Sequence, residues 1–331
     1  RLAAYEDAEE QGLLVRLPCK VGDTVYGLGK GSTVHSLFVT ARHVPSVTGY
    51  CQACGQEVTW KLWDGSTLSA GHWYLQEDVT VTKANSLAKE RTMCLDLHGR
   101  EITGAADVER IFNIYGNFNL MDSVGGGKVT ATYANAAGKT GSVFYVQSSK
   151  TNGVGNMQLY GGTLTATGTT KSGGIGGIAG KFTMFGGALV GGGAADGTGL
   201  YIQNAADIPV RLLGGSISGS RTFVKGPITL GGQVQIADLM LSGAVARLEQ
   251  LTGSASITFT LAATYGTVAE NAVEADKAFI HEASGKELTL LDGKLVVNMP
   301  VVGHQDHCVC AGLGEGGDHT CATENPVWEP W

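Results

Sequence analysis

The chain has 331 residues and a net charge of −7, with 43% hydrophobic and only 16% charged residues. That apolar content can bury a core and excludes disorder by composition. An acidic balance without Lys or Arg runs argues against nucleic acid and anionic lipid as partners. No apolar run reaches the 18 residues of a membrane-spanning helix. Fifty Gly, about twice the usual share, come with seven Pro and no G-X-Y period, which excludes collagen. With so little charge, solvent-facing positions must be Thr, Ser, Asn, Gln and Gly, a surface that suits repetitive β structure.

Residues 1–48 differ from the rest. RLAAYEDAEEQGLL (1–14) has the charge pattern of a short amphipathic helix, and LPCKVGDTVYGL (17–28) alternates like a strand with a G-D turn. The LPCKVGDTVY stretch resembles short phage-type or mobile-element proteins of anaerobic bacteria. The resemblance covers about thirty residues and implies no activity.

Residues 49–75 form a Cys- and Trp-containing entry segment, CQACGQEVTWKLW (51–63) leading into GHWYLQEDVTVTKA (71–84). TMCLDLHGREITG (92–104) and RIFNIYGNFNLMDSVGGGKVTA (110–131) follow, β-rich runs broken by Gly, Asp and Asn.

Within 76–245 the pattern repeats: an apolar strand, a Gly pair, then a second strand. Copies are FNLMDSVGGGKVTAT, MQLYGGTLTATG, FTMFGGALVGGG, VRLLGGSISGS and ITLGGQVQIAD, with Gly126, Gly161, Gly186, Gly214 and Gly231 spaced 35, 25, 28 and 17 residues apart. Self-similarity on this scale indicates a solenoid. Thr, Val, Ile, Leu, Tyr and Phe favour strands, and Gly favours tight corners. The expected architecture is all-β, a right-handed single-stranded parallel β-helix with irregular N- and C-terminal segments. Phe144, Val146, Leu159, Leu164, Phe182, Met184, Leu189, Leu212 and Ile217 are expected inside it. Residues 246–302 read as closing rungs or a cap, with a helical turn within 269–283.

A Cys cluster followed by W-x-x-W occurs twice: Cys51-x-x-Cys54 before Trp60 and Trp63, and Cys308-x-Cys310 with Cys321 before Trp328 and Trp331. Two copies of one start motif make 51–300 a module and 303–331 the opening of a second, so the chain is expected to be cut from a longer protein. The odd count of seven Cys fits that expectation. HCVCAGLGEGGDHTC (307–321), VTWKLW (58–63), HWYLQEDVTVT (72–82), CLDLHGREI (94–102) and VFYVQSS (143–149) resemble repeat-rich secreted or surface proteins of anaerobic gut bacteria. In those, HCVC…HTC…WxxW segments separate right-handed β-helix modules. The resemblance implies an extracellular or cell-surface location and neighbouring modules more than any chemistry.

Three constellations bear on function. Cys51 and Cys54 have the spacing of half a zinc ribbon, and the C-terminal cluster of His304, His307, Cys308, Cys310, His319 and Cys321 can itself supply a tetrahedral set. Disulfides, favoured outside the cell, and free thiols are the other readings, the disulfide being preferred. No cofactor is otherwise implied. The acidic candidates Asp96, Asp107, Asp122, Asp196, Asp207 and Asp238 are scattered singly, where glycoside hydrolysis needs a facing pair, so each reads as a turn cap and no catalytic residue is assigned. Tyr115, Tyr145, Tyr160 and Tyr201 recur near strand ends and are candidates for stacking on sugar rings. The G-x-G-x-x-G-like spacing of GGIGGIAG (173–180) lacks a following helix and does not read as a nucleotide site.

These features point to a non-catalytic structural or adhesive module of a bacterial surface or secreted protein, with glycans or host surface ligands as partners. A polysaccharide hydrolase or lyase and a phage tail-spike-like fibre are the alternatives. Neither nucleic-acid binding nor membrane insertion is expected.

Overall fold

The computed structural model describes residues 24–28, 34–38, 46–132, 142–166, 172–191, 198–261 and 266–297. The first two segments, β1 (Thr24–Leu28) and β2 (Val34–Phe38), form an antiparallel pair of their own. The chain from β3 (Ser46–Cys51) onward is all-β and winds as a parallel β-helix.

β3 and β4 (Gln56–Leu62) make an antiparallel hairpin, and β4 pairs in parallel with the first rung. That rung is β5 (Gly71–Tyr74), β6 (Val79–Val81) and β7 (Asn85–Leu87); the second is β8 (Thr92–Asp96), β9 (Glu101–Gly104) and β10 (Arg110–Ile114). The third is β11 (Asn117–Met121), β12 (Lys128–Ala131) and β13 (Ser142–Val146), followed by the small hairpin β14 (Ser148–Ser149) and β15 (Gly153–Val154). The fourth is β16 (Asn156–Leu159), β17 (Thr163–Ala166) and β18 (Ser172–Ile178). β19 (Lys181–Met184), β20 (Ala188–Gly191) and β21 (Thr198–Ile202) make the fifth, and β22 (Val210–Leu212), β23 (Ser216–Ser218) and β24 (Arg221–Val224) the sixth.

First, second and third strands of successive rungs stack in parallel on three faces. The second and third faces merge at β26 (Gln235–Leu241), which follows β25 (Ile228–Gly232). Its Gln235 and Ile236 continue the second face while Leu239–Leu241 continue the third. β27 (Ala246–Leu251) and β28 (Ser256–Leu261) add a further turn, then β29 (Gly266–Glu270) and β30 (Ile280–Glu282), joined through a 3₁₀ turn at Glu274–Ala278. The hairpin of β31 (Leu288–Leu291) and β32 (Lys294–Val297) pairs antiparallel with β29. The first face therefore ends in an antiparallel hairpin on each side, with β3 and β31 as its outer strands.

One continuous core runs through the solenoid from Trp63 to Val297. Strand alternation sends every second residue inward, and the in-register stack turns those residues into ladders. Leu95, Leu120, Leu159, Met184, Leu212, Leu230 and Leu248 form one on the first face. Ile102, Val129, Leu164, Leu189, Ile217, Ile236, Ile257 and Ile280 form another on the second. Phe144 and Phe182 stack at 5.7 Å inside. All nine residues expected inside from the sequence are buried.

The five Gly pairs fall at one corner, between first and second faces, and in the four after Gly126-Gly127 the two positions are Gly for different reasons. The first Gly of a pair passes against the rung below: a Cβ on Gly186 would sit 2.5 Å from the Tyr160 carbonyl oxygen. The second adopts positive φ, +79° at Gly215, where a Cβ would also meet the Gly187 carbonyl oxygen at 2.5 Å. A side chain at either position would force the rungs apart.

Candidate metal centre

Outward positions of the first face also align into a column. His72 on β5 pairs with Cys94 on β8, and Cys94 with Asn119 on β11. The tip of the β3–β4 hairpin brings Cys51 and Cys54 to the same place. Its turn closes with a hydrogen bond from Gly55 N to Cys51 O (2.8 Å), with Gly55 at φ +69°. Cys51, Trp60, Tyr74, Cys94 and Met121 make a small second core outside the solenoid wall.

The ligand atoms of Cys51, Cys54, His72 and Cys94 all lie within 4.8 Å of one another. Cys54 Sγ is 3.1 Å from His72 Nε2 and 3.9 Å from Cys94 Sγ. The three thiols are free; a disulfide would require about 2.05 Å between sulfurs. Tetrahedral zinc with Zn–S bonds of about 2.3 Å separates its sulfurs by roughly 3.8 Å. The four groups can therefore hold a metal ion with little rearrangement.

The surroundings suit that chemistry. Buried Asn119 donates from Nδ2 to Cys94 Sγ (3.4 Å), a contact that favours thiolate. Trp60 meets the His72 ring edge-on at 5.4 Å and is itself tied to Gly49 O through Nε1 (3.2 Å), so the imidazole is held against a fixed wall. Burial pushes the Cys94 thiol well up, and burial together with neighbouring Cys51 pushes Cys54 up. Burial pushes His72 down, which keeps it neutral and able to ligate. Without a cation Cys54 and Cys94 are held as neutral thiols; a bound divalent cation supplies the charge that offsets desolvation of thiolates.

Cys51 and Cys54, singled out from the sequence, thus meet two partners that were not. His72 and Cys94 carried a signal in the rung alignment of HWYL (72–75) with CLDL (94–97), which puts His over Cys and Leu over Leu. The other proposed metal or disulfide residues, His307, Cys308, Cys310, His319 and Cys321, lie outside the described residues, as do Trp328 and Trp331.

The tyrosines do not gather in one patch. Tyr145 and Tyr201 share an outward column of the third face, separated by Gly177. Arg110 lies over Tyr145 at 4.8 Å, Lys225 over Tyr201 at 5.7 Å, and Tyr201 stacks on Phe223 at 5.4 Å. Tyr160 lies on the first-face side, stacked on Phe185 at 4.9 Å, and Tyr115 follows β10. Among the acidic candidates, Asp96 accepts hydrogen bonds from His98 N, Ser123 N and Ser123 Oγ, and Asp122 from Gly99 N and Gly127 N. Both carboxylates hold corner turns. Asp238 pairs with Arg221 at 3.0 Å, Asp107 and Asp207 are exposed, and Asp196 lies outside the described residues.

No protein-family model, no curated protein and no solved structure matches this chain.

Proposed function

We propose that the protein is a non-catalytic structural and display module of a bacterial surface or secreted protein, stapled at its N-terminal end by a structural zinc ion. Cys51, Cys54, His72 and Cys94 are the ligands. The observation that carries this reading is their convergence from a hairpin tip and two successive rungs onto one point. A complete Cys₃His set is the composition of closed structural sites, whereas a catalytic zinc keeps a position for water. The ion clips the hairpin onto the first two rungs, where a solenoid has neighbours on one side only and is weakest. Corner carboxylates engaged by backbone donors, and a surface low in charge, support display over catalysis.

Metal content of the full chain tests the zinc reading, by elemental analysis after purification with zinc present. The expected result is one fewer zinc per chain in a Cys94→Ser, His72→Ala double variant than in the unmodified protein. Comparing the two cancels any metal held by the C-terminal Cys/His segment. Equal content would overturn the assignment.

A further inference from the structure

At the glycine corner, Tyr160 and Phe185 stack in neighbouring rungs and Leu213 continues their line one rung on. The next position in that line, Gly231, adds no side chain and is buried against Leu213 and Glu249. An open groove of about 510 Å³ lies beside Phe185 and Leu213, within the range of small-ligand sites. Phe185, Leu213, Gly232, Gln233, Gln235 and Ser254 are among the residues that line it. Phe185 is 42% exposed, although it sits in a rigid stack. Gln235 is oriented by its own bond from Nε2 to Ser254 O (2.9 Å). Gln233 makes no side-chain hydrogen bond among the described residues and is exposed.

The lining contains no ionisable side chain. Arg211 on β22 and Glu249 on β27 neutralise each other in a two-pronged contact at 2.7 and 2.9 Å. A partly exposed aromatic ring beside amides and hydroxyls, without a formal charge, matches a ligand with apolar C–H groups and many uncharged hydroxyls. A charged ligand would lose its hydration with nothing to replace it. We infer that this groove is a binding site for neutral oligosaccharide, with Phe185 stacking on a sugar ring and Gln233 and Gln235 bonding its hydroxyls. The groove lies on the side of the solenoid that carries Tyr160, one of the tyrosines expected to stack on sugars, and not on the face of Tyr145 and Tyr201. The inference rests on reading the module as a display surface.

The test is calorimetric titration of the full chain with neutral tetrasaccharides of glucose, mannose, galactose and N-acetylglucosamine, and with tetragalacturonate as the charged control. The expected result is binding of at least one neutral tetrasaccharide, weakened at least tenfold by Phe185→Ala and by Gln233→Ala and unchanged by Tyr145→Ala. Binding of tetragalacturonate alone, binding of none, or full retention in both groove variants would overturn the site. Reducing ends are assayed in the same samples. Their release, with binding still dependent on Phe185, would overturn the display reading and leave the groove standing.

Discussion

Removing the proposed zinc should loosen one end of the solenoid and leave the other untouched. A ligand bound only to the folded state stabilises it by RT ln(1 + [L]/Kd), about 2.7 kcal/mol when free zinc is a hundred times Kd. The four ligands lie between Cys51 and Cys94, so that energy holds the hairpin and the first two rungs. Rungs contact only their neighbours, so the effect should fade along the axis. Amide hydrogen exchange reads this directly. Trp63 N, bonded to Tyr74 O at 2.9 Å, and Leu75 N, bonded to Asp96 O at 3.1 Å, span the stapled region. With a chelator their protection should fall about a hundredfold, the equivalent of 2.7 kcal/mol. Gln233 N on Leu213 O and Thr252 N on Gly232 O, near the opposite end, should not change. Unchanged protection at Trp63 and Leu75, or a uniform loss along the whole solenoid, would refute the staple.

Four further outcomes are expected. Phe182→Ala removes a fully buried ring stacked on Phe144 and should cost about 3–5 kcal/mol by urea denaturation. Thr222 is buried with its Oγ1 unpaired, so Thr222→Val should stabilise the protein by about 1 kcal/mol in the same assay. Gly215→Ala meets both positive φ and the Gly187 carbonyl, and should cost at least the ~1–2 kcal/mol of a left-handed residue, with a lower thermal midpoint. In metal-free protein, His72 has a folded pKa below its usual 6.5, so the unfolded chain takes up the proton first. The stability present above pH 6.5 should then decline as pH falls through that value, and His72→Gln should flatten the decline in urea midpoints between pH 5 and 8.

Much of the fold was legible because it depends on local chemistry repeated many times. Gly pairs mark one corner since that corner needs positive φ and close approach of backbone, as Gly187 and Gly215 show. Alternation around Phe144-Tyr145 separates an inward ring from an outward one, and the outward ring then lies over Gly177, where a Cβ would come within 2.6 Å of it. These are properties of neighbours in sequence, so the sequence by itself determined strands, corners and the inward set. The tertiary structure alone decided the rest. The merging of two faces at β26 depends on Gln235–Leu241 running through without a corner, a matter of packing against β23 and β24 together. The Cys51, Cys54, His72 and Cys94 cluster depends on register across rungs of unequal length: His72 meets Cys94, and a hairpin outside the solenoid folds Cys51 and Cys54 over both. Local pattern marked Cys51 and Cys54 for a disulfide or a zinc site, with the disulfide preferred, but the residues they meet lie one and two rungs away. Stacking of the backbone, which sets that distance, is a long-range property that short-range spacing does not encode.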